Sequence, residues 1–470
     1  MMKSFFRYFF LIIVNFPIVL LSQEVENPSI LSYEEFIAFV KQHHPVLKQA
    51  NLQLSLGEAN LLKSRGGFDP KIEVDFNTKE FKDTEYYDLL SATFKIPTWY
   101  GIELKANFEE NSGVFLNPEN SVPEDGLYSA GIKVSALQGL LINDRMAALK
   151  RARFYLEQTK AERDLLVNDL LYEATVAYLD WVKADNEFLI YKNFLKNAEI
   201  RFKGIKRSVE TGEKAAIDSV EAKITVQNRA LGLEAARLKR IKSTLEVSNY
   251  LWLNGIPLEL QPGVKPLLPE NRIVANALQI NNLDQQNILI ENHPKIQSLN
   301  FKIESLDVDR RLKWNKLLPK LDLNYNFITE SYDQINTLNT DEFKFGLRFS
   351  TPLFLRKERG DLQLAKFKLQ DVNFERMATS LRIQNKINSA YAEIESLTKQ
   401  NALINEMVLN YERMVTAEER KFSLGESSLF LVNSRETKLI DARLKQNEIQ
   451  NKFLMTNAKL FNSLGLAPVE

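Results

Sequence analysis

The chain contains no cysteine in its 470 residues, which excludes disulfides, thiolate metal sites, a Cys nucleophile and a lipid-modified N-terminal Cys. Glycine (17) and proline (15) are scarce for this length, a composition that favours long uninterrupted helices over a loop-rich fold. Neither sign of charge is in excess. Lys+Arg and Asp+Glu both total 61, so the basic surplus of a nucleic-acid binder is missing. Beyond the N-terminus no apolar run approaches the ~20 residues that a membrane-spanning helix needs. The N-terminus itself carries Lys3 and Arg7, then an apolar stretch from Tyr8 to Leu21 broken by Asn15 and Pro17, then Ser22-Gln23-Glu24. Its length and flanks suit a signal peptide over residues 1–22, cleaved near Ser22; a retained signal anchor is the alternative. The mature chain is therefore expected to be exported without a helical membrane anchor.

What is present is written twice. His44-Pro45 recurs as His293-Pro294, and Asp69-Pro70-Lys71-Ile72-Glu73-Val74 as Leu318-Pro319-Lys320-Leu321-Asp322-Leu323, both 249 positions on. Further along the offset falls to 213: Ala177-Tyr178 matches Ala390-Tyr391, and Gly212-Glu213 matches Gly425-Glu426. A constant offset on either side of one step is the mark of a duplication with one length change. The first copy is longer by 36 residues, in its strand region. The expected organisation is a first repeat over 23–256, a linker or equatorial segment over 257–285 and a second repeat over 286–470. Each repeat runs helix, strands, very long helix, Gly break, returning helix. Ser32 with Glu35 three residues on has capping-box spacing, and the helix it opens continues to about Arg65 with a kink at Pro45.

The strands, about 70–136 and 319–352, alternate with period two. Ile72, Val74 and Phe76 oppose Lys71, Glu73, Asp75 and Asn77; Leu321, Leu323, Tyr325 and Phe327 oppose Lys320, Asp322, Asn324 and Asn326; Phe343, Phe345, Leu347 and Phe349 oppose Lys344, Gly346, Arg348 and Ser350. The first copy adds Leu90, Ala92, Phe94 and Ile96, then Ile102, Leu104, Ala106 and Phe108, then Tyr128, Ala130, Ile132 and Val134. Such alternation has two readings: a half-buried soluble sheet, or a membrane barrel that is apolar toward lipid and polar toward a lumen.

The helical hairpins, about 140–252 and 356–464, carry coiled-coil seams. From Val167 the apolar positions run Leu170, Ala174, Ala177, Trp181, Ala184, Phe188, Tyr191, Leu195, Ala198, Phe202, Ile205 and Val209, in alternating steps of three and four. The second copy repeats the register through Ile383, Ile387, Ala390, Ile394, Leu397, Ile404, Val408, Tyr411, Val415 and Phe422, interrupted by Asn401 and Glu418. About 70 residues at ~1.5 Å each reach on the order of 100 Å. A soluble protein rarely splits a sheet between two such hairpins. Two matched strands per repeat give four per chain, whereas single-chain outer-membrane barrels start at about eight strands and open edges are not tolerated in lipid. Strands of this number span a membrane only if several chains share one barrel. Four per chain is the expected contribution; the extra hairpin around Thr98-Trp99-Tyr100-Gly101 is expected outside the bilayer, with six per chain as the alternative. Tyr86, Tyr87, Trp99 and Tyr100 suit either an aromatic girdle or ordinary hairpin packing.

The chain resembles the TolC family of outer-membrane efflux and secretion channels. The resemblance rests on the duplicated helix–strand–helix order, on Ser350-Thr351-Pro352-Leu353-Phe354 before the second long helix, and on the turn from Gly212-Glu213-Lys214-Ala215-Ala216-Ile217-Asp218 to Ser219-Val220-Glu221-Ala222. It implies a mainly α chain with a transmembrane β-barrel: a homotrimer whose twelve-stranded barrel, set in outer-membrane lipid, continues into a long coiled-coil α-barrel in the periplasm. It implies an exit duct for tripartite efflux or type I secretion, docking a periplasmic adaptor (membrane fusion) protein and an inner-membrane transporter at its tip. In such channels acidic side chains after the Gly turn narrow the entrance. Here Gly212 and Gly425 mark the tips, and Asp218 and Glu221 occupy the acidic places of the first copy, with Lys206 and Arg207 as candidate bonding partners. The second copy departs from this pattern, with Leu431 and Ser434 at the corresponding places. A solvated helix face is the plainer reading of Asp218 and Glu221.

An enzyme is not expected, and neither a cofactor nor a metal is implied. The histidines are His43, His44 and His293, and the two that precede Pro at the repeat offset read as helix starts. No phosphate loop or Ser/His/Asp arrangement stands out. The competing function is a periplasmic coiled-coil adaptor or structural protein of an envelope assembly, which would need neither duplication nor lipid-compatible strands.

Overall fold

The computed structural model describes residues 29–261, 263–280, 289–337 and 339–466, so the expected signal peptide and part of the linker lie outside the described residues. The first repeat contains β1 (Ile30–Leu31), α1 (Tyr33–His43), α2 (Pro45–Arg65), β2 (Lys71–Glu80), β3 (Glu85–Pro97), β4 (Ile102–Ser112), β5 (Leu127–Ser135), α3 (Asp144–Glu210) and α4 (Ala216–Ser248). The connecting segment holds β6 (Trp252–Leu253), β7 (Ile256–Pro257), β8 (Lys265–Pro266) and α5 (Asn271–Ala277). The second repeat has α6 (Pro294–Asn315), β9 (Lys320–Thr329), β10 (Phe343–Ser350), α7 (Arg356–Ser423) and α8 (Leu429–Leu464).

The helix starts follow the sequence. Ser32 and Glu35 form the capping box of α1, with the Glu35 carboxylate accepting from Ser32 N at 3.0 Å. His44 and His293 are the N-caps of α2 and α6. Each accepts through Nδ1 from the backbone N–H two residues on, at 3.3 Å from Val46 and 3.1 Å from Lys295, where Pro at the first helical position has no N–H to offer. The kink at Pro45 is thus a break between two helices.

The largest core lies where the connecting segment meets the long helices. Tyr33, Phe36, Ile37 and Val40 of α1 pack with Leu170, Leu171, Ala174, Tyr178 and Trp181 of α3, Val247 of α4, Val274 of α5, and Leu454, Ala458 and Phe461 of α8. β1 and β8 pair in parallel beside it, and the Tyr178 hydroxyl accepts from Leu267 N at 3.2 Å, anchoring the connection between repeats to α3. Helices α2, α3, α6 and α7 lie side by side in that order; further from the sheet α4, α3, α8 and α7 do the same. The seam positions Leu170, Ala174, Ala177, Trp181, Ala198 and Ile205 are buried, as are Ile383, Ile387, Ala390, Leu397, Ile404, Val408 and Val415.

All six long strands form one antiparallel sheet in the order β10-β9-β5-β4-β3-β2. This corrects the expected count of four strands per chain in favour of the alternative of six. The turn at Thr98–Gly101 sits at the helix end of the sheet, but the strands it joins are fully laddered between β2 and β5. The reason is register: Phe94 and Ile96 fall opposite Ala106 and Leu104, and these opposite Ala130 and Ile132, so the apolar face continues across the hairpin without a step. One row, Phe343, Phe327, Ala130, Ala106, Phe94 and Ile72, crosses the whole sheet. The strand order repeats the helix order, because β2 follows α2, β5 precedes α3, β9 follows α6 and β10 precedes α7. Tyr86 and Trp99 lie at opposite ends of β3, against Phe115 and Phe68 respectively.

Candidate functional site at the hairpin tips

Each long helix turns back within a few residues. After α3 the chain passes through Gly212 at φ +79°, and after α7 through Gly425 at φ +81°, left-handed conformations that carry a penalty for any residue with a Cβ. Ala215 opens α4 without a side-chain cap, whereas Ser428 caps α8 by accepting from Leu431 N at 3.3 Å. The two tips pack as one unit: Ile205 and Val209 of α3, Ala222 of α4, Phe422 of α7 and Leu429 of α8 share a small core, and the Lys214 ammonium lies 4.2 Å above the Phe422 ring.

Asp218 and Glu221 stand on the first turns of α4, both half-buried. The Glu221 carboxylate accepts from Asn433 Nδ2 at 3.1 Å, which ties α4 to α8. Among the described residues Asp218 has no ion pair. Lys206 and Arg207 are not brought to either carboxylate within the chain. Both are exposed on the last turns of α3, and the Lys206 ammonium lies 4.0 Å from Glu210 on its own helix.

A second charged group near the tips escaped the sequence reading. Glu436 of α8 is 1% exposed, with Arg201 of α3 at 3.2 Å through both terminal nitrogens and Arg229 of α4 at 3.9 Å. Arg201 also reaches Glu419 of α7 at 2.9 Å, and Arg229 donates to Thr437 Oγ1 at 2.8 Å. One carboxylate thereby links three helices, and Arg201 brings in the fourth. Breaking such a buried pair leaves an uncompensated charge, which costs roughly 3–5 kcal/mol. Glu436 continues the spacing of Leu429 and Val432 toward Leu439, so a charge at a seam position of α8 was the available signal. Among the described residues no group of His, Cys, Asp or Glu is arranged to hold a metal ion, and no helix is long and apolar enough to cross a membrane.

Residues 286–466 match the family of outer membrane efflux proteins. About nine-tenths of the chain superposes on solved channels at low identity. The CmeC outer membrane channel of Campylobacter jejuni gives a TM-score of 0.64 at 13% identity, over 92% of this chain and 85% of that one. The MtrE outer membrane channel of Neisseria gonorrhoeae, in its open state, gives 0.62 at 13%, over 92% and 88%. The outer membrane protein VceC of Vibrio cholerae gives 0.64 at 12%, over 92% and 95%. The chain shares the fold of these outer-membrane channels. No curated protein sequence matches the chain. The family match covers the second repeat and its tip at Gly425; the first repeat, with Asp218 and Glu221, is related to the solved channels through the shared fold.

Proposed function

We propose that three copies of this chain close into one outer-membrane exit duct, which passes solutes delivered by a periplasmic adaptor and an inner-membrane transporter in efflux or secretion. The observation that carries this reading is the sheet, apolar along one face up to a polar far end at Thr78, Asp88, Glu110 and Ser112, and unpaired among the described residues at both edges, β2 and β10. Open edges are not tolerated in hydrocarbon. Because adjacent strands alternate in direction, β10 of one chain meets β2 of the next antiparallel, and three six-stranded sheets make eighteen strands.

The flanking helices support the same closure. Ile217, Ile224, Leu231, Leu238 and Leu245 form an exposed seven-residue stripe on α4, and Phe367, Phe374 and Leu381 form another on α7, at opposite flanks of the chain. Uncovered heptad stripes call for a partner helix. The perimeters also agree. Twelve helices, four per chain, at ~10 Å each give a ring of about 120 Å. Eighteen strands spaced ~4.8 Å and tilted ~40° give about 110 Å, whereas twelve strands give about 75 Å.

The absence of native cysteine makes a direct test clean. Single variants Phe94→Cys, Leu104→Cys and Leu323→Cys would carry a bimane label in vesicles of phosphatidylcholine brominated in its acyl chains. All three labels are expected to be quenched, and the protein to form pores in planar bilayers. Quenching at position 323 alone would leave the duct but remove the hairpin from its wall. Quenching at none, with release by carbonate washing, would favour the periplasmic adaptor.

A further inference from the structure

The polar face of the sheet is as ordered as the apolar one. Lys71 of β2 lies directly opposite Lys95 of β3, and Lys95 opposite Lys105 of β4. The same row continues through Gly131 and Asn326 to Lys344 of β10, so it holds four lysines and no carboxylate. Like charges directly opposite one another weaken a ladder, so this arrangement does not help the sheet to fold. Glu73 takes Lys95, while Glu103 is bonded to Arg145 at 2.8 Å. Among the described residues Lys71, Lys105 and Lys344 hold no ion pair. Across the polar face of the six strands eight cations (Lys71, Lys79, Lys95, Lys105, Lys133, Lys320, Lys344, Arg348) stand against five carboxylates (Glu73, Asp75, Glu103, Glu109, Asp322). Lys95 and Lys105 both come from the hairpin that the second repeat lacks, so the added strands complete the row.

We propose that this lysine row is an anion-attracting belt around the lumen of the barrel, favouring passage of anionic solutes and binding polyvalent oxyanions. The inference rests on the duct reading, since only a closed barrel turns the polar face into the wall of a lumen. A closed trimer repeats the row three times, so twelve lysines line the lumen in three bands that follow the tilt of the sheet. Rings of Lys or Arg are a general physical device for anion selectivity, because the fixed field raises the local anion concentration and repels cations.

The test is the reversal potential of the full-length mature protein in planar bilayers under a KCl gradient, with sodium pyrophosphate as a polyvalent probe added from each side. Replacing Lys71, Lys95, Lys105 and Lys344 by Gln is expected to lower the chloride-to-potassium permeability ratio about threefold and to weaken pyrophosphate block, while the four Arg replacements preserve both. Lys105→Gln alone, which removes no ion pair, is expected to shift the ratio in the same direction and serves if the quadruple variant does not assemble. Conducting pores whose ratio and block are unchanged by Lys105→Gln and by the quadruple variant would overturn the belt and leave the duct intact. Absence of pores from the unaltered protein would instead remove the duct on which the belt depends.

Discussion

His293 caps α6 through Nδ1 and is only 9% exposed, so protonation would both bury a charge and destroy the acceptor that holds Lys295 N. Burial depresses its pKa to about 4 from 6.5, against a weaker opposing hydrogen bond to Ser463. His44, its counterpart in the first repeat, is shifted down for the same reason. A depressed histidine keeps its neutral form in the folded state while the unfolded chain takes up the proton first. Stability is therefore complete above pH 6.5 and declines as pH falls toward 4, by up to about 3 kcal/mol per chain from His293. Thermal unfolding of the unaltered protein and of His293→Asn, which retains a capping oxygen, should show a smaller acid loss in the variant. Superimposable pH profiles would mean that this ring does not titrate with folding. The Pro-preceded histidines were legible as helix starts because an N-cap is a local arrangement. Glu436 was not, since its two arginines arrive from helices over 200 positions away.

At the scale of elements, the seams of α3 and α7 and the alternation of the strands could be read directly, because a helix or strand displays its own period. The hairpin β3–β4 was mis-set for a complementary reason. Its alternation is as clean as that of the other strands, but whether it joins their sheet depends on register with β2 and β5, and register is a property of neighbours. The exposed stripe of α4 was equally periodic; it acquires meaning only because nothing among the described residues covers it. The tip turns belong to this scale too. Asp218 lacks an ion pair among the described residues, whereas Glu221 is held by Asn433, so the two carboxylates are unequal. Asp218→Ala combined with Glu221→Ala is expected to raise single-channel conductance or reduce cation preference at the tip, and Asp218→Ala alone to account for most of the change in preference. If neither quantity moves in the double variant, the entrance is formed elsewhere.

For the whole molecule, duplication sets the order of parts twice over, as helices α2, α3, α6, α7 and as strands β2 to β10 above them. The inserted hairpin adds two strands to the first repeat and none to the second, bringing the strand perimeter close to that of the helices. In the proposed duct the tunnel then need not narrow at the junction, and the lysines of the insert face the passing solute.

The unpaired edges β2 and β10 also have a genetic consequence. In the proposed ring, a chain whose β10 edge is blocked, for example by Phe345→Pro with Leu347→Pro, whose N–H groups face away from β9, still offers an intact β2 edge and still enters the assembly. Such a subunit acts as a poison rather than a passive loss. With equal amounts of blocked and normal chains mixing at random into threes, only about one ring in eight is free of the defect. Co-expression titrations should show transport falling with the cube of the normal fraction. A linear fall would mean that blocked chains are excluded before the barrel closes.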